Sequence, residues 1–362
     1  METRPPDSKK NLALRSRLLA WYERYRRDLP WRRSRDPYAI WVSEIMLQQT
    51  RVAVVIERYR AFMQRFPTLL ALALSTEEEV LALWSGLGYY RRARMLHKAA
   101  QFVAAQHNGN LPSTSTELRA LPGIGAYTAA AIASIAHGER VAVVDGNVER
   151  VVCRLEGWDA SDRKSGAALR RSIEALADRL VDPRRPGDFN QAMMELGATV
   201  CTPRSPRCLT CPIADHCLTR GEHKTAPRAP MLSREIAHGL AVRHKRARAG
   251  HHPRTEVMLE RRAAEMTVMP GLWQLPALRD AEVPEQELRM TVRHAIMQVN
   301  YYVRIRSVLE EDLEALTVPS GERRWVPVEE VGQMALTGLA RKVLTRARLL
   351  DPAAAPAPPA DR

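Results

Sequence analysis

The sequence predicts a multidomain protein in which a large all-α domain precedes a smaller α+β domain. Apolar residues recur with helical spacing from residue 11 to about residue 220, and short strand-like runs appear only after residue 250. A polar stretch with prolines, residues 219–233, separates the two patterns and is typical of a linker. The length of 362 residues fits about two domains of usual size.

These patterns divide the chain into four parts. We predict a helical domain at 1–220, a linker at 221–233, an α+β domain at 234–349 and a disordered tail at 350–362. The tail is rich in proline and alanine and lacks the apolar side chains that a core requires.

Each helix is predicted from its apolar periodicity and its end signals. After an opening amphipathic helix, Asp36 is placed to cap the second helix with Pro37 as its first residue, and Pro67 stops the third. Ser75 and Glu78 predict a capping box ahead of the next. Further helices are predicted at 90–106, 116–120, 126–137, 146–157, 166–181 and 189–199.

In the second domain, the strand-like runs are Val257–Leu259, Trp273–Leu275 and Tyr301–Ile305. A last helix is predicted from Glu329 to about Leu349.

The charge of the chain favours a polyanionic partner. Lys and Arg total 55 against 41 Asp and Glu, which gives +14. Residues 1–225 hold 34 basic and 24 acidic residues, so most of the surplus lies in the predicted helical domain. Nucleic acid is the polyanion that such a surplus favours, although a surplus that serves only solubility gives the same number.

Two classes of protein are not expected. No run of about 18 apolar residues is present, so we expect no membrane-spanning helix. The first ten residues, METRPPDSKK, are polar and lack the apolar core of a secretion signal. We therefore expect a cytoplasmic protein.

Four cysteines with unusual spacing predict a metal site. Cys201, Cys208, Cys211 and Cys217 form C-x6-C-x2-C-x5-C within 17 residues. Zinc or an iron–sulfur cluster would neutralise four thiolates, and a single compact loop favours a cubane cluster. The fifth cysteine, Cys153, lies among aliphatic residues and is expected to pack as a small buried hydrophobe.

A short turn between two predicted helices has the features of an anion site. In Leu121-Pro122-Gly123-Ile124-Gly125, proline ends one helix and the glycines permit a turn with positive φ. Exposed amides at the start of the next helix favour a phosphate. A tight helix–helix turn without a ligand explains the pattern equally well by itself.

Two carboxylates stand in apolar surroundings. Glu44 shares a helix face with Ile40 and Trp41, where burial disfavours its charged form and raises its pKa. Asp145 ends an apolar run and precedes a helix, so it is placed to cap that helix and to stay ionised. One raised acid and one ionised carboxylate are the groups that cleave a glycosidic bond, although each has a purely structural explanation.

Taken together, these motifs resemble the helix–hairpin–helix superfamily of DNA base-excision glycosylases, and specifically the MutY-type adenine DNA glycosylases. The resemblance covers residues 11–220 closely, with the helix–hairpin–helix at 113–138. The residues that carry it are Trp41–Thr50, Gly86–Ala93, Leu121–Thr128, Val144–Val148 and the four cysteines of 201–217.

The resemblance implies a catalytic group of four residues. Glu44 is the general acid that protonates adenine and then handles water. Asp145 stabilises the positively charged sugar or attacks it transiently. Tyr127 and Asn147 orient this chemistry. The four cysteines, Cys201, Cys208, Cys211 and Cys217, are then the ligands of a 4Fe-4S cluster.

The resemblance also implies how DNA is held. Trp31, Arg32 and Glu195 line or support the pocket for the flipped adenine. Gln49, Leu87 and Tyr89 form a wedge that fills the vacated stack. The DNA-binding residues implied in all are Gln48, Gln49, Thr50, Leu87, Tyr89, Leu121, Gly123 and Gly125.

The region 232–345 resembles the family's C-terminal Nudix-like domain, chiefly through Pro270–Pro276. No G-x5-E-x7-R-E-x-x-E-E run is present, so this domain is not expected to hydrolyse pyrophosphates. The family's loop that senses 8-oxoguanine corresponds to His294–Gln298, where a hydroxyl and a second histidine are missing. The preference for 8-oxoguanine over guanine opposite adenine is therefore open.

We expect a monomeric, monofunctional enzyme of bacterial type that meets double-stranded DNA at the nucleoid and excises adenine opposite 8-oxoguanine or guanine. Three alternatives are weighed: a bifunctional endonuclease-III-like glycosylase and lyase, a mismatch thymine glycosylase, and a non-catalytic DNA-binding protein. Tyr127 argues against the first, because relatives of that type carry a lysine there to form a Schiff base. The additional C-terminal domain argues against the second, and the presence of both Glu44 and Asp145 argues against the third.

Overall fold

The computed structural model describes residues 9–158, 166–223, 230–245 and 254–351. Within these residues, helices occupy the chain up to residue 199 and sheets follow from residue 232. The predicted fold class, a helical domain plus an α+β region, is therefore confirmed. No helix in the described part of the chain is both long and apolar enough to cross a membrane.

The α-helices are numbered in chain order. They are α1 (Lys9–Tyr25), α2 (Pro37–Leu47), α3 (Val52–Arg65), α4 (Leu69–Ala73), α5 (Glu77–Leu83), α6 (Arg91–Gln106), α7 (Ser115–Arg119), α8 (Ala126–Ala136), α9 (Gly146–Glu156), α10 (Gly166–Leu180), α11 (Pro186–Thr199), α12 (Leu313–Leu316) and α13 (Gly338–Arg346).

Two local predictions were wrong. The capping box of α5 uses Thr76 and Glu79, one residue later than predicted, because the Thr76 hydroxyl accepts from the Glu79 amide while the Glu79 carboxylate accepts from the Thr76 amide. The last helix, α13, begins at Gly338 rather than at residue 329, because the Thr337 hydroxyl caps it by accepting from the Ala340 amide.

In the second region, the described residues form two sheets built from nine strands. One sheet has the order β6-β7-β1-β5-β8, in which β1 and β7 are parallel, and the other joins β2, β3, β4 and β9 through β3. The strands are β1 (Leu232–Leu240), β2 (Val242–Lys245), β3 (Arg254–Arg261), β4 (Trp273–Gln274), β5 (Ala277–Leu278), β6 (Leu288–Ile296), β7 (Val299–Ser307), β8 (Thr317–Val318) and β9 (Arg323–Pro327).

The chain divides into two compact units, each of which combines separate stretches of the sequence. The first contains the described residues up to Gln49, then Thr68–Ala73, and those from Lys98 to the linker; the second contains Thr50–Pro67, Leu74–His97 and the described residues after the linker. Residues 50–67 and 74–97 thus group with the strands. The predicted linear boundaries stay a prediction, and parts of the predicted linker (224–229) and tail (352–362) lie outside the described residues.

Helix α11 is the central support of the first unit. A Cβ atom at Gly187 would lie 2.6 Å from the Ser134 carbonyl oxygen, and one at Gly197 would lie 2.6 Å from Asn147. Only glycine permits these two approaches, so α11 packs directly against α8 and the start of α9. Buried Asn190, also on α11, accepts from the Val143 amide at 3.1 Å and donates to the Val141 carbonyl at 2.8 Å, which fixes the extended segment that leads into α9.

Candidate active site

Glu44 is a buried carboxylic acid on α2, the helix capped by Asp36 as predicted. Its side chain is 5% exposed, and Oε2 accepts a hydrogen bond of 2.6 Å from the Tyr127 hydroxyl. Burial raises the pKa of Glu44 to about 7, the hydrogen bond from Tyr127 lowers this pKa, and the charge of Asp145 raises it again. Near neutral pH a large fraction of Glu44 is therefore protonated and able to donate.

Asp145 is a carboxylate held by the start of α9. One oxygen accepts from the backbone amides of Asn147 and Val148 at 2.9 and 2.7 Å, and the other accepts from the Asn147 side-chain amide at 2.8 Å. These donors fix the position of the carboxylate at the N-terminus of α9. The predicted helix cap is therefore present, and it presents a negative charge close enough to affect Glu44.

Tyr127 lies in the first turn of α8 and contacts the Glu44 side chain. Its hydroxyl donates to Glu44 and also contacts the sulfur of Met194 at 3.4 Å. Burial raises its pKa well above the ordinary value, with further increases from the charges of Glu44 and Asp145, so the phenol stays neutral.

The predicted base-pocket residues form an ion network. Glu195 on α11 is 1% exposed and accepts from Arg27 at 2.7 and 2.8 Å and from Arg32 at 2.8 Å. Burial opposes ionisation of Glu195, but the hydrogen bonds from Arg27 and Arg32 prevail and lower its pKa to about 2. Trp31 is buried beside Arg32 in a 3-10 turn. The charge of Arg32 also lowers the pKa of Glu44, which places the network next to the acid.

The Leu121–Gly125 turn joins α7 to α8, and the Leu121 and Ile124 amides donate to backbone carbonyls within this region. Leu121 and Ile124 are buried, while Gly123 and Gly125 are exposed, with φ of 74° at Gly123. Gly125 is the N-cap of α8, so no side chain at the cap position accepts a hydrogen bond from the first amides of this helix. Exposed amides at such a helix start can bind an anion. Buried Leu121 anchors the turn rather than presenting its own side chain.

The predicted wedge residues differ in exposure. Gln49 is exposed with φ of 56°, and Tyr89 is 52% exposed with φ of 47°. Leu87 is only 4% exposed, so the prediction that its side chain belongs to a wedge conflicts with its buried position in this structure. Gln48 donates to the Thr128 hydroxyl at 3.3 Å, and the Thr50 hydroxyl donates to the Leu87 carbonyl at 3.3 Å.

The four cysteines of the 201–217 loop line one small cavity. Three of them, Cys201, Cys211 and Cys217, also pack against the core formed by α1, α9, α10 and α11. Among the described residues, no group of three or more histidine, cysteine or acidic side chains is arranged to hold a single metal ion. Arg154 donates to the Cys201 sulfur at 3.3 Å. Four thiols and adjacent cationic groups fit an anionic iron–sulfur cluster.

Sequence reasoning missed three residues that hold this site together. Arg27 pairs with Glu195, and Asn190 fixes the segment before Asp145. Arg150 donates to the Asn147 side chain at 2.8 Å, to the Gly197 carbonyl at 2.7 Å and to the Cys201 carbonyl at 2.8 Å. Arg27 and Glu195 are 168 positions apart in the chain, and the contacts of Asn190 with Val143 and of Arg150 with Gly197 each span 47 positions. The periodicity of apolar residues could not reveal contacts over such separations.

Comparison with known proteins agrees with this geometry. Residues 42–176 match the family model of the HhH-GPD superfamily base excision DNA repair protein. An adenine DNA glycosylase of Mycolicibacterium smegmatis is 46% identical over 204 residues, which cover 56% of this chain and 68% of that protein. The chain belongs to the adenine DNA glycosylase family. The resemblance to MutY-type enzymes is therefore confirmed.

Other relatives extend the comparison. The human adenine DNA glycosylase is 52% identical over 217 residues, which cover 58% of this chain and 39% of the human protein, so this chain matches about two fifths of that relative's length. The solved structure of a thermostable thymine-DNA glycosylase is 30% identical with a TM-score of 0.53, covering 59% of this chain and 97% of that one.

The cysteine loop has its own match. Residues 201–217 match the iron–sulfur binding domain of endonuclease III. The predicted 4Fe-4S cofactor is therefore confirmed at the level of the domain, and Cys201, Cys208, Cys211 and Cys217 are the residues that would hold it. The loop that carries these cysteines follows α11 and contacts α9 through Arg154, which donates to the Thr202 and Pro203 carbonyls at 2.7 and 3.0 Å.

We expect anaerobically purified protein to contain iron and acid-labile sulfide in about equal amounts. Cys208→Ser should lower the iron content and the melting temperature, because one ligand is lost from a loop that packs on the helical core. Cys153→Ala is the matched control, since Cys153 is fully buried on α9 and lies outside the four-cysteine motif, so the iron content should stay unchanged. Stoichiometric zinc without iron would contradict the cluster.

Proposed function

We propose that this protein is a monofunctional DNA glycosylase that excises adenine paired with 8-oxoguanine or guanine. The observation that supports it best is the buried Glu44, whose pKa is raised to about 7 and whose neighbours include the Asp145 carboxylate. A protonated acid and a fixed negative charge are what cleavage of an N-glycosidic bond requires. Membership of the family makes adenine the expected base.

In the first step, Glu44 donates its proton to a ring nitrogen of adenine. The bond between that base and the sugar then breaks, and its electron pair leaves with the adenine. Burial contributes by keeping Glu44 protonated near neutral pH, so that a proton is available to transfer.

In the second step, the sugar carries positive charge, which Asp145 stabilises or captures transiently. The amides of α9 hold the carboxylate in place, so no reorganisation is needed when the charge appears. Water then adds to the sugar carbon and gives its proton to the Glu44 carboxylate, which restores the acid. Asn147 orients Asp145 through its side-chain amide, and Tyr127 orients Glu44 through its hydroxyl.

The monofunctional assignment follows from the same residues. A lyase needs an amine that forms a Schiff base with the sugar. Tyr127 occupies the place where a lysine would be needed, and a neutral phenol cannot form that bond. The product is therefore an intact strand with an abasic site.

Access to the base requires that adenine leave the duplex. We assign Trp31, Arg32 and Glu195 to its pocket, with Glu195 holding Arg32 rather than contacting the base with a free oxygen. Gln49 and Tyr89 fill the vacated stack. Gln48 and Thr50 flank Gln49 in the chain, and the buried Leu87 supports the segment that carries Tyr89. The Leu121–Gly125 turn binds a phosphate through the amides at Gly123 and Gly125.

The C-terminal region is assigned to the Nudix-like class and to recognition of the opposite base. Residues His294–Gln298 end β6 and turn into β7, with Met297 78% exposed at φ of 53°. An exposed methionine replaces the expected hydroxyl, which favours weak discrimination between 8-oxoguanine and guanine. We further propose that the enzyme acts as a monomer on DNA in the bacterial cytoplasm.

An oligonucleotide assay tests this function. Duplexes that pair adenine with 8-oxoguanine, guanine or cytosine, and one that pairs thymine with guanine, are incubated with excess protein. We expect adenine release from the first two, with strand breaks only after hot alkali. Release of thymine alone would support the mismatch-thymine alternative, and breaks without alkali at the rate of base release would support the bifunctional one.

A further inference from the structure

The segment Gly86–Tyr89 has an unusual backbone. Gly86, Gly88 and Tyr89 have φ of 97°, 69° and 47°. Glycine adopts this region freely, but a tyrosine does so only when its surroundings hold it there. Tyr89 is nevertheless 52% exposed, so few contacts of its own ring fix it. Contacts made by residues other than Tyr89 must therefore maintain this backbone conformation.

Arg92, in the first turn of α6, contacts the backbone of this segment. Its Nη2 atom lies 3.1 Å from each of three oxygen atoms, the Thr50 hydroxyl and the carbonyls of Leu87 and Gly88. Its guanidinium carbon lies 5.5 Å from the centroid of the Tyr89 ring. One side chain thus binds two consecutive carbonyls and stacks on the aromatic ring that follows them.

Other contacts complete the arrangement. The guanidinium of Arg92 lies at the same 5.5 Å from the ring of buried Trp84, and the Trp84 indole donates to the Gly88 carbonyl at 3.2 Å. A planar guanidinium can stack on a ring while its nitrogens donate in its own plane. A lysine ammonium keeps the charge but lacks this geometry, so the site requires arginine in particular.

We propose that Arg92 is a positioning residue, which holds Tyr89 outward in the conformation from which its ring enters the DNA stack. It touches neither the base nor the reacting atoms, and it acts through Tyr89. This inference rests on the proposed function, because Arg92 is inferred to support the residue that the proposed function places in the DNA stack, Tyr89. The competing explanation is that Arg92 only stabilises the fold.

The first experiment compares Arg92→Lys with Arg91→Lys. Both changes keep the charge, and Arg91 is the exposed residue immediately before Arg92 on α6. We expect Arg92→Lys to slow single-turnover excision by about 10–100-fold, as loss of charge-assisted hydrogen bonds allows. Duplex affinity at fixed salt should change by less than about twofold, because phosphate attraction depends on charge. Arg91→Lys should match the wild type.

The deciding experiment is a double-mutant cycle with Tyr89→Ala. If Arg92 acts through Tyr89, Arg92→Lys should cost less than about twofold in the Tyr89→Ala background, because the group it positions is absent. Multiplicative losses would overturn the proposal, since they would mean that Arg92 acts elsewhere. Wild-type rates in Arg92→Lys would overturn it as well.

A fluorescence measurement separates this proposal from the proposed function. With 2-aminopurine beside the target adenine, unstacking on binding is expected to raise the emission for the wild type, less for Arg92→Lys and equally little for Tyr89→Ala. If the wild type binds and unstacks DNA but releases no adenine, the proposed function fails while this readout still tests Arg92. Equal emission in wild type and Arg92→Lys would contradict the positioning role.

Discussion

Glu44→Gln is expected to slow single-turnover excision of adenine by about 10²–10⁴-fold, the usual contribution of a general acid. Glutamine has nearly the same shape and can still accept the hydrogen bond from Tyr127, but it has no proton to give. The loss should appear in the rate constant at saturating protein, while duplex affinity should stay equal or increase. The measurement is base release under single-turnover conditions at pH 7.

Glu57→Gln is a suitable control for this change. Glu57 is 76% exposed on α3 and pairs with Arg60 one turn later, so the same substitution there removes only a surface ion pair. Its excision rate should match the wild type. Normal excision by Glu44→Gln, with Glu57→Gln also normal, would remove Glu44 from the role of acid.

Asp145→Asn is the second change with a large expected effect, a loss of about 10²–10³-fold in the same rate constant. Asparagine is a good N-cap, so α9 should still begin at the same residue. The negative charge beside the developing positive sugar is lost, however, and the asparagine NH₂ would face the Asn147 amide that now donates to Asp145. Removal of a negative charge should not weaken binding to DNA phosphates.

The control for Asp145→Asn is Asp36→Asn, an identical substitution at another helix cap. Asp36 is exposed and accepts from the Tyr38 amide at the start of α2, the helix that carries Glu44. If capping alone mattered, both variants would lose stability and activity together. We expect only Asp145→Asn to lose activity, and comparable activities in the two variants would contradict a catalytic role for its charge.

The local parts of this site could be predicted from the sequence. Asp36 and Pro37 define the start of α2, and Asp145 defines the start of α9, because a cap acts within three residues. The spacing of Glu44 from Ile40 and Trp41 indicated its burial, and all three are buried. Helix caps and the burial of a helix face depend on residues within a few positions of one another, so the sequence predicts them.

Long-range parts could not be predicted in this way. The pairing of Glu195 with Arg27 joins residues 168 positions apart, and it depends on how α11 packs. That packing depends on Gly187 and Gly197, whose need for close approach gives no periodic pattern. The burial of Leu87 likewise follows from a segment with positive φ that Arg92 holds, rather than from the spacing of apolar residues.

The central claim is that Glu44 must be protonated to act, and the pH dependence of single-turnover adenine excision tests it most directly. Because burial raises the pKa of Glu44 to about 7, its protonated fraction is high below pH 7 and falls about tenfold per pH unit above it. We predict a rate constant that is level from about pH 5.5 to 6.5 and declines with that slope toward pH 9, and a Glu44→Gln profile without this decline. A wild-type rate constant that stays level or rises between pH 7 and 9 would contradict the account.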